Sequence, residues 1–198
     1  MKILHLISSP RGQASFSIKL GNAIVEKLVA ANPDSTVKTH NLVSTPFPHL
    51  EEVHINSFFT PAENHSPEQQ AAIKHSNDAI AELQEADTIV IGAPLYNFNI
   101  HSTLKAWIDH VARAGKTFSY SEAGPEGLVK GKKVYVAISS GGVYTEGPYK
   151  AYDFIEPYLR GVLGFLGMTD ITFYRVEGVN MPALKDTALE KAISSIAI

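Results

Sequence analysis

The sequence predicts an α/β fold in which one five-stranded parallel sheet, of strand order 2-1-3-4-5, is covered by helices on both faces. Five short apolar runs alternate with helical periodicities along the 198 residues, and strict alternation is typical of a parallel sheet. Runs such as Lys2 to Ile7 and Thr88 to Ile91 are almost continuously apolar, as expected for strands covered on both faces. The chain is too short for an eight-stranded barrel, and five strands favour this open order. We therefore expect one domain, residues 1–198.

The first strand and helix form the clearest pair of elements. The apolar run from Lys2 to Ile7 is followed by polar residues and Gly12. An apolar stripe then recurs at helical spacing, at Leu20, Ile24 and Leu28. Asn32-Pro33-Asp34 ends this helix, and Thr36 to Leu42 is a weaker second strand.

The second helix is predicted from its N-terminal cap. It follows residues 43–65, which contain three prolines and are expected to be irregular; a loop of this length is usually a lid, an interface or a binding element. Ser66, Pro67 and Gln69 combine a capping box with proline at the first helical position. The helix leads into the third strand, Thr88 to Ile91.

The second half of the chain completes the alternation. A helix with a clear apolar period ends at Gly115, and residues 116–131 are expected to form a loop. The remaining elements are a strand, a helix, a strand and a closing helix, expected at Lys133 to Ser139, Ala151 to Leu166, Ile171 to Val176 and Leu184 to Ile196.

The composition excludes several classes of protein and site. The absence of cysteine rules out disulfides, thiolate metal sites and cysteine nucleophiles. A net charge of −3 is too small to indicate nucleic acid or an anionic membrane as a partner. The eight histidines lack zinc-binding spacing, so no metal site is expected. With no signal-like or membrane-spanning segment, we expect a cytoplasmic protein.

Three loops are expected to carry the function. In an open parallel sheet, ligands bind beyond the carboxyl ends of the strands where the strand order reverses. For the order 2-1-3-4-5, this places residues 8–17, 93–99 and 139–146 together.

The first loop has the chemistry of a phosphate site. Ser9, Ser15 and Ser17 flank the start of the first helix, whose free N–H groups and dipole favour an anion. The lysine of a P-loop is absent, which indicates a phosphate that is held and not transferred. The alternative is that these serines only cap the helix.

The other two loops have the chemistry of a slot for a flat ring. Tyr96 and Phe98 can form its wall, and the Asn97 amide can donate and accept hydrogen bonds. Gly141 and Gly142 permit close approach of the backbone to a planar ligand. The alternatives are core aromatics and an ordinary turn. A phosphate site beside a flat slot predicts flavin mononucleotide, FMN.

Motifs over nearly the whole chain add a family resemblance. SSPR followed by S-x-S, then PLYNFN, ARAGKTFSYSEAGPEGLVKGKKV, SSGG and EPYLRGVLGFLGMTDITF resemble the FMN-dependent NADH-azoreductases. These belong with the flavodoxin-like NAD(P)H:quinone oxidoreductases. The resemblance implies a flavodoxin-like three-layer sandwich, a homodimer with one FMN per subunit, and two-electron ping-pong reduction of quinones and azo compounds by NADH or NADPH.

The resemblance also implies which residues bind the cofactor. The phosphate and ribityl end falls to Ser9, Ser15, Phe16 and Ser17, and the isoalloxazine to Leu95, Tyr96, Asn97, Phe98, Ser139, Ser140, Gly141 and Gly142. Some relatives have methionine at position 95, which should matter little if the backbone makes the contacts, and histidine at 144, whose role cannot be carried over to Tyr144. Some have arginine at 140, and its absence here leaves the choice between NADH and NADPH open. No side chain is nominated as a catalytic acid or base, because the cofactor carries the hard chemistry.

Some assignments stay open at this stage. Phe58, Phe59, Phe118 and Tyr120 suit either a pocket over the flavin or a dimer core, and the glycines at 161, 164 and 167 indicate close helix packing. A phosphate-accepting receiver domain is excluded, because the acidic residues that it needs after the first and third strands are missing. A flavodoxin-like electron carrier and a non-catalytic FMN-binding protein remain as alternatives.

Overall fold

A computed structural model describes all residues from 1 to 198. It contains seven strands: β1 (Lys2–Ile7), β2 (Thr36–Asn41), β3 (Thr88–Pro94), β4 (Phe118–Ser121), β5 (Gly124–Gly127), β6 (Lys133–Ser139) and β7 (Asp170–Val176). It contains six α-helices: α1 (Phe16–Ala31), α2 (Glu52–Phe59), α3 (Pro67–Glu85), α4 (Ser102–Val111), α5 (Ile155–Phe165) and α6 (Ala188–Ser194). None of the helices combines the length and apolar character needed to cross a membrane.

Five parallel strands form the central sheet, in the order β2-β1-β3-β6-β7. Because β6 and β7 are the fourth and fifth strands of this sheet, the predicted order 2-1-3-4-5 and the flavodoxin-like three-layer fold are confirmed. Every residue of β3 is buried, as its continuous apolar run predicts.

Two apolar clusters separate the three layers. One cluster includes Trp107, Leu83 and Leu159, from the helices α3, α4 and α5. The other joins α1 and α6 to the opposite face of the sheet, through residues such as Leu20 and Ala192. The sheet is therefore sealed on both faces, and the carboxyl ends of its strands are the open edge at which a ligand can bind.

The segment 43–65 is more regular than predicted, since it contains α2. Glu51 and His54 form a capping box at its start. The segment is fixed to α4, because His110 Nε2 lies 2.9 Å from the Pro48 carbonyl oxygen and the Arg113 guanidinium lies 4.7 Å from the centre of the Phe58 ring. An eight-residue helix between proline-rich stretches gives little periodic signal, so the prediction of an irregular segment was wrong.

Residues 116–131 contain a β-hairpin, β4–β5, where the sequence predicted a loop. Phe118 pairs with Gly127 in this hairpin. A Cβ at Gly127 would overlap the backbone of Gly167, so the hairpin lies directly against the end of α5. The sequence of β5, GPEG, gives no strand signal, because glycine, proline and glutamate are depleted in strands.

Three helix boundaries also differ from the predictions. The helix α4 ends at Val111, and Gly115 belongs instead to the turn before β4, where its N–H donates to the Phe118 carbonyl at 2.8 Å. The helix α5 begins at Ile155 because residues 147–152 form a 3-10 helix, and α6 begins only at Ala188. Helix ends are the positions that periodicity defines least well.

The two glycines of α5 and Gly167, which follows its end, play unequal parts. Gly167 packs closely against Gly127 and the Val129 carbonyl, with φ of +104°. A Cβ at Gly161 or Gly164 would contact nothing within the subunit. Close packing inside this chain therefore explains only Gly167.

Candidate functional site

The three predicted loops meet in a cleft at the carboxyl ends of β1, β3 and β6. Its lining contains the predicted residues Ser9, Ser15, Phe16, Leu95, Tyr96, Ser139, Ser140 and Gly141. Arg11 and Pro94, which lie in the predicted loops but were given no cofactor role, also line the cleft, and sequence reasoning missed Val179 and Asn180. Val179 and Asn180 follow β7, at the same edge of the sheet, so the strand order itself was the signal that could have found them.

Hydroxyl groups converge at the start of α1. Ser15 is the N-cap of α1, and its Oγ accepts a hydrogen bond from the Ile18 N–H at 3.4 Å. The Oγ of Ser9 accepts one from the Arg11 N–H at 3.4 Å, so Ser9 belongs to the preceding loop and does not cap the helix. Capping by Ser15 is compatible with a phosphate site, since the first N–H groups of a helix lack partners within the helix.

Ser17 lies behind this group of hydroxyls. It is fully buried, lies outside the cleft lining, and its Oγ is 3.1 Å from that of Ser15. Its hydroxyl therefore orients Ser15.

The loop after β3 is a tight turn with a strained backbone. The N–H groups of Tyr96 and Asn99 each donate to the other residue's carbonyl at 3.0 Å. The two central residues have positive φ, +48° at Asn97 and +69° at Phe98. Asparagine tolerates this region, but a bulky residue held there costs about 1–3 kcal/mol, and such strain clusters at functional sites.

The turn places Tyr96 and Phe98, which were predicted to form one aromatic wall, on different sides of the loop. Tyr96 lines the cleft, whereas Phe98 is 43% exposed and packs 5.2 Å from Tyr152 and 6.4 Å from Tyr144, measured between ring centroids. Asn97 lies on a second cavity behind Tyr96, lined also by Asn99, Ile100, His101, Ser102, Lys105 and Tyr158. Neither Tyr96 nor Phe98 is a core residue, so that alternative is wrong.

The backbone donors of this loop are unequally engaged. The N–H of Leu95 donates to the Ser139 carbonyl at 2.8 Å, and that of Tyr96 is held within the turn. The N–H groups of Asn97 and Phe98 have no acceptor within the protein. These two N–H groups are therefore free to donate, although neither Asn97 nor Phe98 is in the cleft lining.

Gly141 and Gly142, which follow β6, contact other residues of the chain. A Cβ at Gly141 would lie 2.6 Å from Nδ2 of Asn180, and the Gly141 carbonyl accepts from the Asn180 N–H at 3.0 Å. Gly142 lies outside the cleft lining, and its carbonyl accepts from the Ser140 hydroxyl at 2.8 Å. A side chain at position 141 would therefore have to displace the Asn180 amide, whether or not a ligand is bound.

The site has little formal charge. Arg11 and Tyr96 are the only ionisable side chains of the cleft lining, so the N-terminus of α1 is its main fixed positive pole besides Arg11. On the second cavity, burial and then the negative charge of Asp109 raise the pKa of Tyr158 to about 12. Its phenol therefore stays a protonated donor at neutral pH.

Comparison with known proteins agrees with this geometry. Residues 1–197 match the family model described as flavodoxin-like fold. The chain is 47% identical to an FMN-dependent NADH:quinone oxidoreductase of Mesorhizobium japonicum, over 99% of this chain and 94% of that protein. It is 51% identical to the protein of the same name from Herminiimonas arsenicoxydans, over 92% and 89%.

Comparison with solved structures also finds proteins of this kind. An azoreductase from Bacillus anthracis superposes with a TM-score of 0.88 at 30% identity, covering 98% of this chain and 97% of that one. An FMN-dependent NADH-azoreductase from Bacillus anthracis, solved in complex with FMN, superposes with a TM-score of 0.86 at 26% identity and the same coverage. The chain belongs to the family of the FMN-dependent NADH:quinone oxidoreductases, within the proteins of flavodoxin-like fold.

Proposed function

We propose that this protein is an FMN-dependent oxidoreductase that uses NADH, or NADPH, to reduce quinones and to cleave azo compounds reductively. The observation that carries the proposal is the single cleft in which a set of hydroxyls at a helix N-terminus lies beside a slot between two loops. The two relatives compared above are named FMN-dependent NADH:quinone oxidoreductases, and the two solved structures are named azoreductases.

The lining residues suit FMN at both ends of the cleft. Ser9, Ser15 and the first N–H groups of α1 would hold the phosphate, with Phe16 beside the ribityl chain and Ser17 fixing the Ser15 hydroxyl. The isoalloxazine would lie between two sets of residues: Leu95, Tyr96, Asn97 and Phe98 on one side, and Ser139, Ser140, Gly141 and Gly142 on the other.

The chain contributes binding, orientation and electrostatics. FMN, when bound, supplies the chemistry of accepting a hydride from the dinucleotide and passing two electrons to the acceptor. The N–H groups of Asn97 and Phe98, fixed by the strained turn, would donate to the polar edge of the ring and stabilise negative charge there. With no carboxylate or imidazole in the cleft lining, we propose no side-chain acid or base.

The direct test is to purify the protein, add FMN and remove the excess. We expect a yellow protein whose flavin absorbance is bleached by NADH without oxygen and restored by a quinone or an azo dye. A colourless protein that retains no FMN would overturn the proposal. FMN retained but not reduced by NADH or NADPH would assign the chain to a non-catalytic FMN-binding protein, and reduction without transfer to a quinone or azo dye to an electron carrier. Comparing rates with NADH and NADPH decides the donor.

We also propose that the protein is a single-domain homodimer in the cytoplasm. Two large aromatic side chains are highly exposed on the subunit, Phe59 at 77% and Tyr120 at 71%, and we propose that the partner subunit covers them. The absence of cysteine suits a reducing compartment. Light scattering should give twice the 21.5 kDa subunit mass, and Phe59→Ser with Tyr120→Ser should shift it toward one. A monomer in the unmodified protein would overturn the dimer.

A further inference from the structure

Arg175 on β7 is a buried cation outside the cleft. Its side chain is 11% exposed, and its Nη2 lies 2.5 Å from Oδ2 of Asp153 and 2.7 Å from Oε2 of Glu156. Its Nη1 lies 3.7 Å from Oε1 of Glu177, an ion pair longer than a hydrogen bond, and this buried nitrogen has no hydrogen-bond partner. A guanidinium that is surrounded by three carboxylates and largely removed from water is held in one place.

One of these carboxylates fixes the start of the segment 144–155. Glu177 accepts a hydrogen bond from the Tyr144 N–H at 2.8 Å and another from the Thr145 hydroxyl at 2.6 Å. Arg175 thus contacts the group that holds this end of the segment.

Another carboxylate fixes the far end of the same segment. Oδ1 of Asp153 accepts from the N–H of Ile155 at 3.1 Å and of Glu156 at 3.4 Å, at the first turn of α5. Oδ2 of Asp153 is left for Arg175. One guanidinium therefore joins both ends of the segment to β7.

The bridged segment is packed against the strained turn beside the cleft. The rings of Tyr144 and Tyr152 contact the ring of Phe98, and the Phe154 N–H donates to the Phe98 carbonyl at 3.3 Å. Phe98 keeps its positive φ only while its surroundings hold it there. Displacing the segment would therefore change the aromatic surface beside the loop that carries Leu95 and Tyr96 of the cleft lining.

We propose that Arg175 is a positioning residue for the reductase: by joining both ends of segment 144–155 to β7, it holds Tyr144 and Tyr152 against Phe98 and so shapes the aromatic surface on which the nicotinamide and the planar acceptor stack. This inference rests on the proposed function. Arg175 itself touches neither cofactor nor substrate.

The chain offers a matched control in Arg160. Its guanidinium pairs with the same Glu156, at 2.7 Å, but is 53% exposed and has no contact with Asp153 or Glu177. Arg160→Met therefore removes an equal charge from the same carboxylate without releasing the segment. Asp153→Asn is a second, milder variant, because its amide oxygen can still accept from Ile155 while the ion pair with Arg175 is lost.

The first readout needs no flavin. Lys150 lies exposed within the segment, so trypsin cleavage after Lys150, followed by mass spectrometry on the apoprotein, reports whether the segment is held. We expect cleavage about tenfold faster in Arg175→Met than in Arg160→Met, because local opening exposes the site. Asp153→Asn should change in the same direction.

The second readout separates positioning from general stability. With FMN content equal to that of the unmodified enzyme, Arg175→Met should raise the KM for NADH and for the quinone about tenfold, with kcat within about threefold. Equal KM values and equal Lys150 cleavage in Arg175→Met and Arg160→Met would overturn the inference. If Arg175→Met fails to fold, the same comparison between Asp153→Asn and Arg160→Met decides it. An unmodified protein that is not reduced by NADH would instead refute the proposed function.

Discussion

Removing the Ser15 hydroxyl should weaken FMN binding far more than it weakens the fold. In the structure this hydroxyl caps α1 and lines the cleft at the predicted phosphate end. Loss of an N-cap costs about 1 kcal/mol of stability. Loss of a hydrogen bond to a charged group costs about 1.5–3 kcal/mol, which corresponds to about 10–100-fold in Kd.

The chain supplies a control for the capping effect alone. Ser66 caps α3 in the same way, with its Oγ accepting from the Gln69 N–H at 3.2 Å, and it lies outside the cleft lining. Ser15→Ala and Ser66→Ala should therefore lose similar stability, about 1 kcal/mol each, in urea denaturation of the apoproteins. Only Ser15→Ala should lose affinity for FMN.

Quenching of flavin fluorescence during titration measures both FMN and riboflavin affinity. Ser15→Ala should bind FMN about 10–100-fold more weakly and riboflavin almost unchanged, because riboflavin lacks the phosphate. If Ser15→Ala and Ser66→Ala bind FMN equally well, or if riboflavin binding falls as much as FMN binding, the phosphate does not lie at the start of α1.

Three further perturbations test other parts of the structure. Asn97→Ala should be about 1–2 kcal/mol less stable than Asn97→Gly in urea denaturation of the apoproteins, because φ of +48° costs alanine about that much and glycine nothing; equal stability would show that the turn gives up its positive φ when no ligand holds it. Burial lowers the pKa of His5 to about 4, below the value of about 6.5 expected in the unfolded chain, so the unfolded state binds more protons and stability falls as pH drops from 6.5 toward 4. Between pH 8 and pH 5 this loss is about 2 kcal/mol, and it should be absent in His5→Leu when urea denaturation is compared at the two pH values; equal losses in both proteins would contradict it. Gly127→Ala should lower the free energy of unfolding by about 3 kcal/mol, since its Cβ would overlap the Gly167 backbone; an unchanged denaturation midpoint would show that the hairpin can move away.

The sheet and the location of the cleft could be predicted from sequence because both depend on repeated, local signals. Continuous apolar runs such as β3 identify buried parallel strands, and the strand order places the cleft before any side chain is considered. Ser15 was recognisable because helix capping has a residue preference.

The missed features depend on contacts between distant parts of the chain. The helix α2 is fixed by His110 and Arg113, which lie about fifty residues further along. Asn180 reaches the cleft only because β7 ends beside β6. The tight turn at Asn97 and Phe98 carries no glycine, so its positive φ values had no signature in the sequence.

The strained turn also determines whether the free energy needed to shape the slot is a cost of folding or a cost of ligand binding. The positive φ values of Asn97 and Phe98 are supported by contacts within the chain, from the Phe154 N–H and the ring of Tyr152. The distortion is therefore part of folding, and no loop has to be ordered when a flat ring arrives. A preorganised backbone of this kind keeps the ordering cost out of the binding equilibrium. The strain of the turn thus lowers the stability of the chain, and it favours tight binding of a ligand that uses this backbone.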